Sequence, residues 1–120
     1  MKRILIVEDD GDMIELFSIV FRNSGYDVTI SNRALEVADI IVLKPNLILL
    51  DVTLKGSPMS GAAICRELKS NLATQDIPVI LISGEPNLAK MAKLCNANTY
   101  LAKPLNMLKL QIMVNKYLIK

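Results

Sequence analysis

The sequence predicts an α/β fold, a parallel sheet covered by helices on both faces. Three observations carry that expectation. Short apolar runs alternate with helical patterns at nearly even spacing along all 120 residues. The runs are apolar at successive positions rather than at every second one, as strands buried on both sides must be. No internal repeat, low-complexity segment or linker interrupts them, so residues 1–120 are expected to form one domain.

Each element has its own signal. Ile4–Val7 is the first strand, where a short run with β-branched residues favours strand over helix. From Asp12 to about Asn23, Met13, Leu16, Phe17, Val20 and Phe21 share one helical stripe; Asp12 is expected to cap it and Gly25 to stop it. Tyr26–Ile30 reads as the second strand, and Ala34–Leu43 as a helix closed by Lys44-Pro45. Leu47–Leu50 is the third strand and ends abruptly at Asp51, after which a loop with Gly56 and Pro58 leads to a helix from Gly61 to Leu72. Pro78–Ile82 is the fourth strand, and Ser83-Gly84-Glu85-Pro86 turns into a helix over Asn87–Leu94. Thr99–Ala102 is the fifth strand, broken by Lys103-Pro104, and Asn106–Leu118 is the last helix. Its stripe of Leu105, Leu108 and Ile112 is expected to face the core.

Composition removes several function classes. With 52% hydrophobic and 22% charged residues the chain is globular, not a disordered tail. It has no histidine, which excludes Ser–His and Cys–His catalysis and the usual zinc sites. Cys65 and Cys95 lack metal or redox spacing and are expected to be free thiols, packed as small apolar residues on helices. Tryptophan is absent and Phe and Tyr number only two and three, too few for a base-stacking platform. A net charge of +2 with no basic block argues against direct nucleic-acid binding. No apolar run exceeds four residues, and Glu8-Asp9-Asp10 ends the first run before a signal peptide can form. The expectation is a cytoplasmic protein with no membrane insertion.

An open parallel sheet gathers its site beyond the carboxyl ends of the strands. The strands deliver Glu8, Asp9 and Asp10, then Asp51, then Ser83, and finally Lys103 to that edge. Crowded carboxylates raise one another's pKa unless a cation intervenes, and an all-oxygen set suits a hard divalent ion, Mg²⁺ above all. Lysine adds a point charge for a phosphate, and serine a hydroxyl donor. Together these residues fit phosphoryl transfer through an aspartyl phosphate, although spacing alone leaves open which aspartate is the nucleophile.

Four motifs in order make the chain resemble the receiver domains of two-component response regulators: Ile4-Leu5-Ile6-Val7-Glu8-Asp9-Asp10, Pro45-Asn46-Leu47-Ile48-Leu49-Leu50-Asp51, Ile77-Pro78-Val79-Ile80-Leu81-Ile82-Ser83-Gly84 and Tyr100-Leu101-Ala102-Lys103-Pro104. Each is weak alone; four at the right spacing, across essentially the whole chain, are strong. The resemblance implies a flavodoxin-like (βα)5 three-layer sandwich with strand order 2-1-3-4-5. It implies that Asp51 is the phosphoacceptor and that Glu8 and Asp9 form the acidic pair holding Mg²⁺, with Asp9 the direct ligand. Thr53 would offer its backbone carbonyl to the metal, Lys103 would pair with the phosphoryl group or Asp51, and Lys103-Pro104 would be cis. Ser83 resembles the switch hydroxyl, and Tyr100 the aromatic switch whose ring turns inward. The implied function is a signalling switch without an attached effector domain, phosphorylated in trans by a sensor histidine kinase or phosphotransfer protein. Such a switch is a self-phosphorylating acceptor with slow autophosphatase activity and not a turnover enzyme. A downstream protein partner would dock on the face formed by the fourth helix, fifth strand and fifth helix.

The chain departs from the family pattern in places. Lys55 stands where proline is usual, and the stretch between Asp51 and Gly61 is about two residues longer than usual. Asn96 replaces a common glycine but tolerates the left-handed turn, and Asn98-Thr99 replaces an acidic pair. From Pro86 onward there are six lysines, Lys90, Lys93, Lys103, Lys109, Lys116 and Lys120, and no acidic residue. The acids needed for a salt-bridged symmetric dimer through the partner face are therefore missing.

Simpler readings stand beside these. Taken alone, an aspartate ending a strand is more often a cap or turn former than a nucleophile, and only its companions reverse that for Asp51. Asp10 is equally well explained as a favourable charge near the start of the first helix. The main competing function is a phosphorylation-independent interaction module on the same fold, which loss of the acids or the lysine would favour. A haloacid-dehalogenase-like phosphatase would need an Asp-x-Asp nucleophile after the first strand and a longer chain. A flavodoxin-type carrier would need a phosphate loop where this chain has three acids.

Overall fold

Among the described residues strands and helices alternate: β1 (Arg3–Val7), α1 (Gly11–Phe21), β2 (Asp27–Ser31), α2 (Val37–Leu43), β3 (Leu47–Asp51), α3 (Gly61–Ser70), β4 (Val79–Ser83), α4 (Leu88–Cys95), β5 (Thr99–Ala102) and α5 (Met107–Leu118). The structure, a computed structural model, describes residues 1–54 and 59–119. Gly56 and Pro58, expected to turn the chain after Asp51, lie outside the described residues, as do Lys55 and Lys120. All strand pairs are parallel, in the order β2-β1-β3-β4-β5. This is the flavodoxin-like order.

Successive residues of the central strands point into different layers, which explains why they are apolar throughout. Leu5, Val7, Ile48, Leu50, Val79 and Leu81 face a core shared with α2, α3 and α4. Ile4, Ile6, Leu47, Leu49, Ile80 and Ile82 face a second core shared with α1 and α5. Register then aligns the strand ends: Asp51 lies opposite Ile82, and Ser83 opposite Ala102.

Several local expectations need correction. Asp10, not Asp12, caps α1: its Oδ1 accepts from the Asp12 backbone N–H at 2.9 Å, so Asp12 supplies the donor inside the first turn. The second helix starts at Val37 rather than Ala34. Glu36 is its cap, and the Glu36 N–H donates to Asp39 Oδ2 at 3.3 Å, while Ala34 and Leu35 pack against the core ahead of the helix. The third helix ends at Ser70, and Leu72 beyond it is exposed.

The largest difference concerns α5. Its buried stripe is Leu110, Val114 and Leu118, whereas Leu108 and Ile112 are 66% and 61% exposed; of the expected stripe only Leu105 packs against the core. Other expectations hold. Asn96 adopts the left-handed turn at φ 63°, and Lys103-Pro104 is cis. Gly25, however, is not the cap of α1: the helix ends at Phe21 with Arg22 as its cap, and Gly25, at φ 83°, turns the chain further on. Cys65 and Cys95 are free and buried on helices, and burial first, with the Cys95 thiol beside it, pushes the Cys65 thiol up to about 12. Among the described residues no helix is long and apolar enough to cross a membrane.

Candidate functional site

Three strand ends and one turn build the site. Glu8 follows β1 directly and is pinned by its N–H, which donates to the Ser31 carbonyl at 3.0 Å. Asp51 closes β3, and Val52 after it remains tied to the sheet through the Ile82 carbonyl at 3.0 Å. Ser83 closes β4, and its carbonyl accepts from the Lys103 N–H at 2.9 Å, which carries the lysine back to the same edge. Ligand oxygens of Glu8, Asp9 and Asp51 lie within 4.8 Å of one another. Lys103 Nζ stands 3.3 Å from both Glu8 Oε1 and Asp51 Oδ2.

These groups are held away from water. Glu8, Asp51 and Ser83 are buried, and Asp9 is half-buried. Burial, reinforced by the neighbouring Asp51 carboxylate, pushes Glu8 up to about 7 despite the opposing Lys103 charge. Burial works against the Lys103 ammonium too, but Asp51 and Glu8 outweigh it and hold the lysine above its usual pKa.

Glu8 Oε1 is buried and, among the described residues, has no well-formed hydrogen bond, with the Lys103 ammonium 3.3 Å away. A buried acceptor left unmade is costly. An oxygen-only cluster containing such an acceptor fits a hard divalent cation, so the residues present suit Mg²⁺.

The other expected site residues take varied positions. The Thr53 N–H donates to Asp51 Oδ1 at 3.3 Å, and the Thr53 side chain is exposed. Ser83 Oγ accepts from the Glu85 N–H at 2.9 Å. Tyr100 on β5 is 38% exposed. Asp10 serves α1 as its cap, although its N–H also donates to Glu8 Oε2 at 3.3 Å.

Gly61 is a positioning residue whose reason the sequence alone did not supply. A Cβ there would lie 2.0 Å from the Asp51 carbonyl oxygen and 2.9 Å from Val52 Cα, so α3 can start against the end of β3 only with glycine. The Gly61 N–H donates to the Val52 carbonyl at 2.8 Å and locks the two together. The available signal was a glycine at the first position of a helix, where it is a poor helix former.

Comparison with known proteins agrees with this arrangement. The sequence pattern of the response regulator receiver domain matches residues 4–115. The phosphate regulon transcriptional regulatory protein PhoB of Pseudomonas aeruginosa is 34% identical over 106 residues, covering 86% of this chain and 45% of that protein. The DNA-binding response regulator MtrA of Mycobacterium leprae is 29% identical over the same length, covering 86% and 45%. The chain thus spans less than half the length of these curated relatives. Among solved structures, the signal receiver domain of a DNA-binding response regulator from Colwellia psychrerythraea superposes with a TM-score of 0.87 at 26% identity, covering 100% of both chains. The signal receiver domain of a signal transduction histidine kinase from Syntrophus aciditrophicus reaches 0.86 at 30% identity, covering 99% of this chain and 91% of that one. With the pattern spanning nearly its whole length, the chain belongs to the response regulator receiver domain family.

Proposed function

We propose that residues 1–120 act as one cytoplasmic receiver unit that accepts a phosphoryl group on Asp51 and changes conformation to regulate a protein partner. The observation that carries this is the ion-pair geometry: one ammonium, Lys103 Nζ, at 3.3 Å from both Asp51 and Glu8, beside an acidic cluster within 4.8 Å. In the transfer, an Asp51 carboxylate oxygen forms the new O–P bond. The N–P bond of a donor phosphohistidine breaks, its electron pair returning to the donor imidazole. Residues 1–120 contain no histidine, so the donor histidine lies outside them, on a sensor histidine kinase or phosphotransfer module. Asp9, Asp51 and the Thr53 carbonyl would hold Mg²⁺ directly, with Glu8 acting mainly through water. Bound there, Mg²⁺ would neutralise charge on the transferring phosphoryl group.

Lys103 orients the acceptor oxygen and attracts the phosphoryl oxygens. Ser83 Oγ, which accepts from Glu85, still has its proton to donate, so its hydroxyl can turn to the phosphoryl group. Tyr100, exposed beforehand, then turns inward and reshapes the face of α4, β5 and α5, where a downstream protein partner docks. Hydrolysis of the acyl phosphate slowly regenerates the carboxylate. The domain is a switch and not a turnover enzyme, and it does not contact nucleic acid directly.

Intact-mass or Phos-tag analysis after acetyl phosphate and Mg²⁺ tests the reading. One phosphoryl group should appear on the wild type and none on Asp51→Asn. If the two variants behave alike, the chain is a phosphorylation-independent interaction module or the nucleophile lies elsewhere.

A further inference from the structure

Sulfur is unevenly placed in this molecule. Of its six methionines and two cysteines, Met59, Met91, Cys65 and Cys95 belong to or pack against the core shared with α2, α3 and α4. Cys65 on α3 and Cys95 at the end of α4 are buried, 0% and 2% exposed. The Cys65 Sγ–H donates to the Cys95 carbonyl at 3.5 Å, and the Cys95 Sγ–H to the Ala92 carbonyl at 3.6 Å. The Cys95 thiol is also a hydrogen-bonding neighbour of the Cys65 thiol. Met91 and Cys95 stand four residues apart on α4, one turn of the same helix face. Together with Met59, Ala62 and Ala63 they line a groove of about 450 Å³ between α3 and α4. Two thioethers and one thiol thus open on the same space, with a second thiol against the first.

We propose that this groove binds a soft monovalent cation, Cu⁺, through the Cys95 thiolate and the thioethers of Met59 and Met91. As the Cu–S bond forms, the Cys95 S–H bond breaks and its proton leaves to solvent; no electron is transferred. One Cu⁺ and one thiolate make a neutral site, which suits burial. Cys65, pushed up to about 12 by burial and by Cys95, keeps its proton, so a second thiolate is not offered. Zn²⁺ would therefore carry an uncompensated charge here, and thioether sulfur is a poor ligand for it. Hard Mg²⁺ takes oxygen, whereas uncharged, polarisable thioethers select Cu⁺. Glu67 and Arg66, which also line the groove, are exposed and contribute one charge of each sign. None of these residues belongs to the acidic cluster of Glu8, Asp9 and Asp51, so the inference is independent of the phosphoacceptor reading.

The test is an anaerobic titration of the full chain with Cu⁺ buffered by the chelator bathocuproine disulfonate. Metal transfer is read from the chelator's absorbance, and sulfur ligation from a near-ultraviolet sulfur-to-copper charge-transfer band. The expected result is saturable binding of one Cu⁺ per chain with release of about one proton near neutral pH. Affinity should fall about tenfold or more in Cys95→Ser and in Met91→Leu, the second of which conserves core volume and carries the test should the first fail to fold. Asp51→Asn, which alters the acidic edge but none of these sulfurs, should bind Cu⁺ as the wild type does. No competition with the chelator, absence of the charge-transfer band, unchanged affinity in either folded variant, loss of binding in Asp51→Asn, or displacement of Cu⁺ by an equal concentration of Zn²⁺ overturns the proposal.

Discussion

Lys103 faces two buried carboxylates at the same 3.3 Å, so the protonation of Glu8 becomes a lever on the site. Glu8 is pushed from 4.5 to about 7 by burial and by Asp51. Its folded pKa thus lies above its unfolded one, and the folded state holds the proton more tightly. In the metal-free protein that stabilising contribution is fully present below pH 4.5 and is lost as the pH rises through about 7. Thermal melts in EDTA from pH 4.5 to 8 should show the wild type losing stability relative to Glu8→Gln, by on the order of 1–2 kcal/mol. Parallel curves would remove the assignment. Mg²⁺ requires the ionised cluster, so its affinity should rise over the same window, and Asp9→Ala should weaken it roughly tenfold or more by calorimetric titration. If Asp51 is the nucleophile, as proposed, Lys103→Ala and Ser83→Ala, which keep it, should still accept phosphate but lose the conformational readout. Intact mass set beside the tyrosine fluorescence change separates those two effects.

Between elements, the joint of β3 and α3 has the least tolerance. Gly61→Ala places a methyl 2.0 Å from the Asp51 carbonyl oxygen, where the obstacle is backbone and cannot swing away. The variant should lose about 1–3 kcal/mol in denaturant unfolding and, on the proposed role of Asp51, accept phosphate more slowly, because the end of β3 must shift. The end of α2 offers the opposite case. Lys44 closes it in the left-handed region at φ 50°, a conformation that glycine adopts without a Cβ penalty. Lys44→Gly should stabilise by about 1 kcal/mol, raising Tm by roughly 4 °C, and leave phosphorylation untouched. Asn96, at φ 63° after α4, already uses a residue that tolerates this region, so glycine there should change little.

For the whole molecule, metal binding at the acidic edge, as proposed, would be coupled to folding. Glu8 and Asp51 enter from β1 and β3 and are brought together only in the folded chain. Saturating Mg²⁺ should therefore stabilise the wild type by about 2.7 kcal/mol at a hundredfold excess over Kd. Asp9→Ala should show no comparable rise in Tm at the same concentration, and EDTA should reverse the gain. An equal gain in both proteins would place the ion elsewhere. At this scale the charge is also divided: the acids lie before Pro86, so the acidic cluster and the lysine-bearing flank of α5 are separate features of one fold.

Much of the architecture was legible in the residue order. Apolar runs such as Leu47–Leu50 can only be buried on both sides, and parallel strands must place their carboxyl ends together, so Glu8, Asp9, Asp51, Ser83 and Lys103 were assigned to one edge. Asp10 and Asp12 both qualify as caps by type. Backbone geometry chose Asp10, which is extended at ψ 118° while Asp12 is inside the helix. In α5 the apolar residues satisfy two helical stripes, and periodicity cannot rank them. Contact with the core lined by Phe17 and Phe21 selected Leu110, Val114 and Leu118 and left Leu108 and Ile112 to solvent. The need for glycine at Gly61 and the raised pKa of Glu8 were likewise invisible along the chain. Both arise from distances between residues far apart in sequence, and such distances exist only once register and packing have been set.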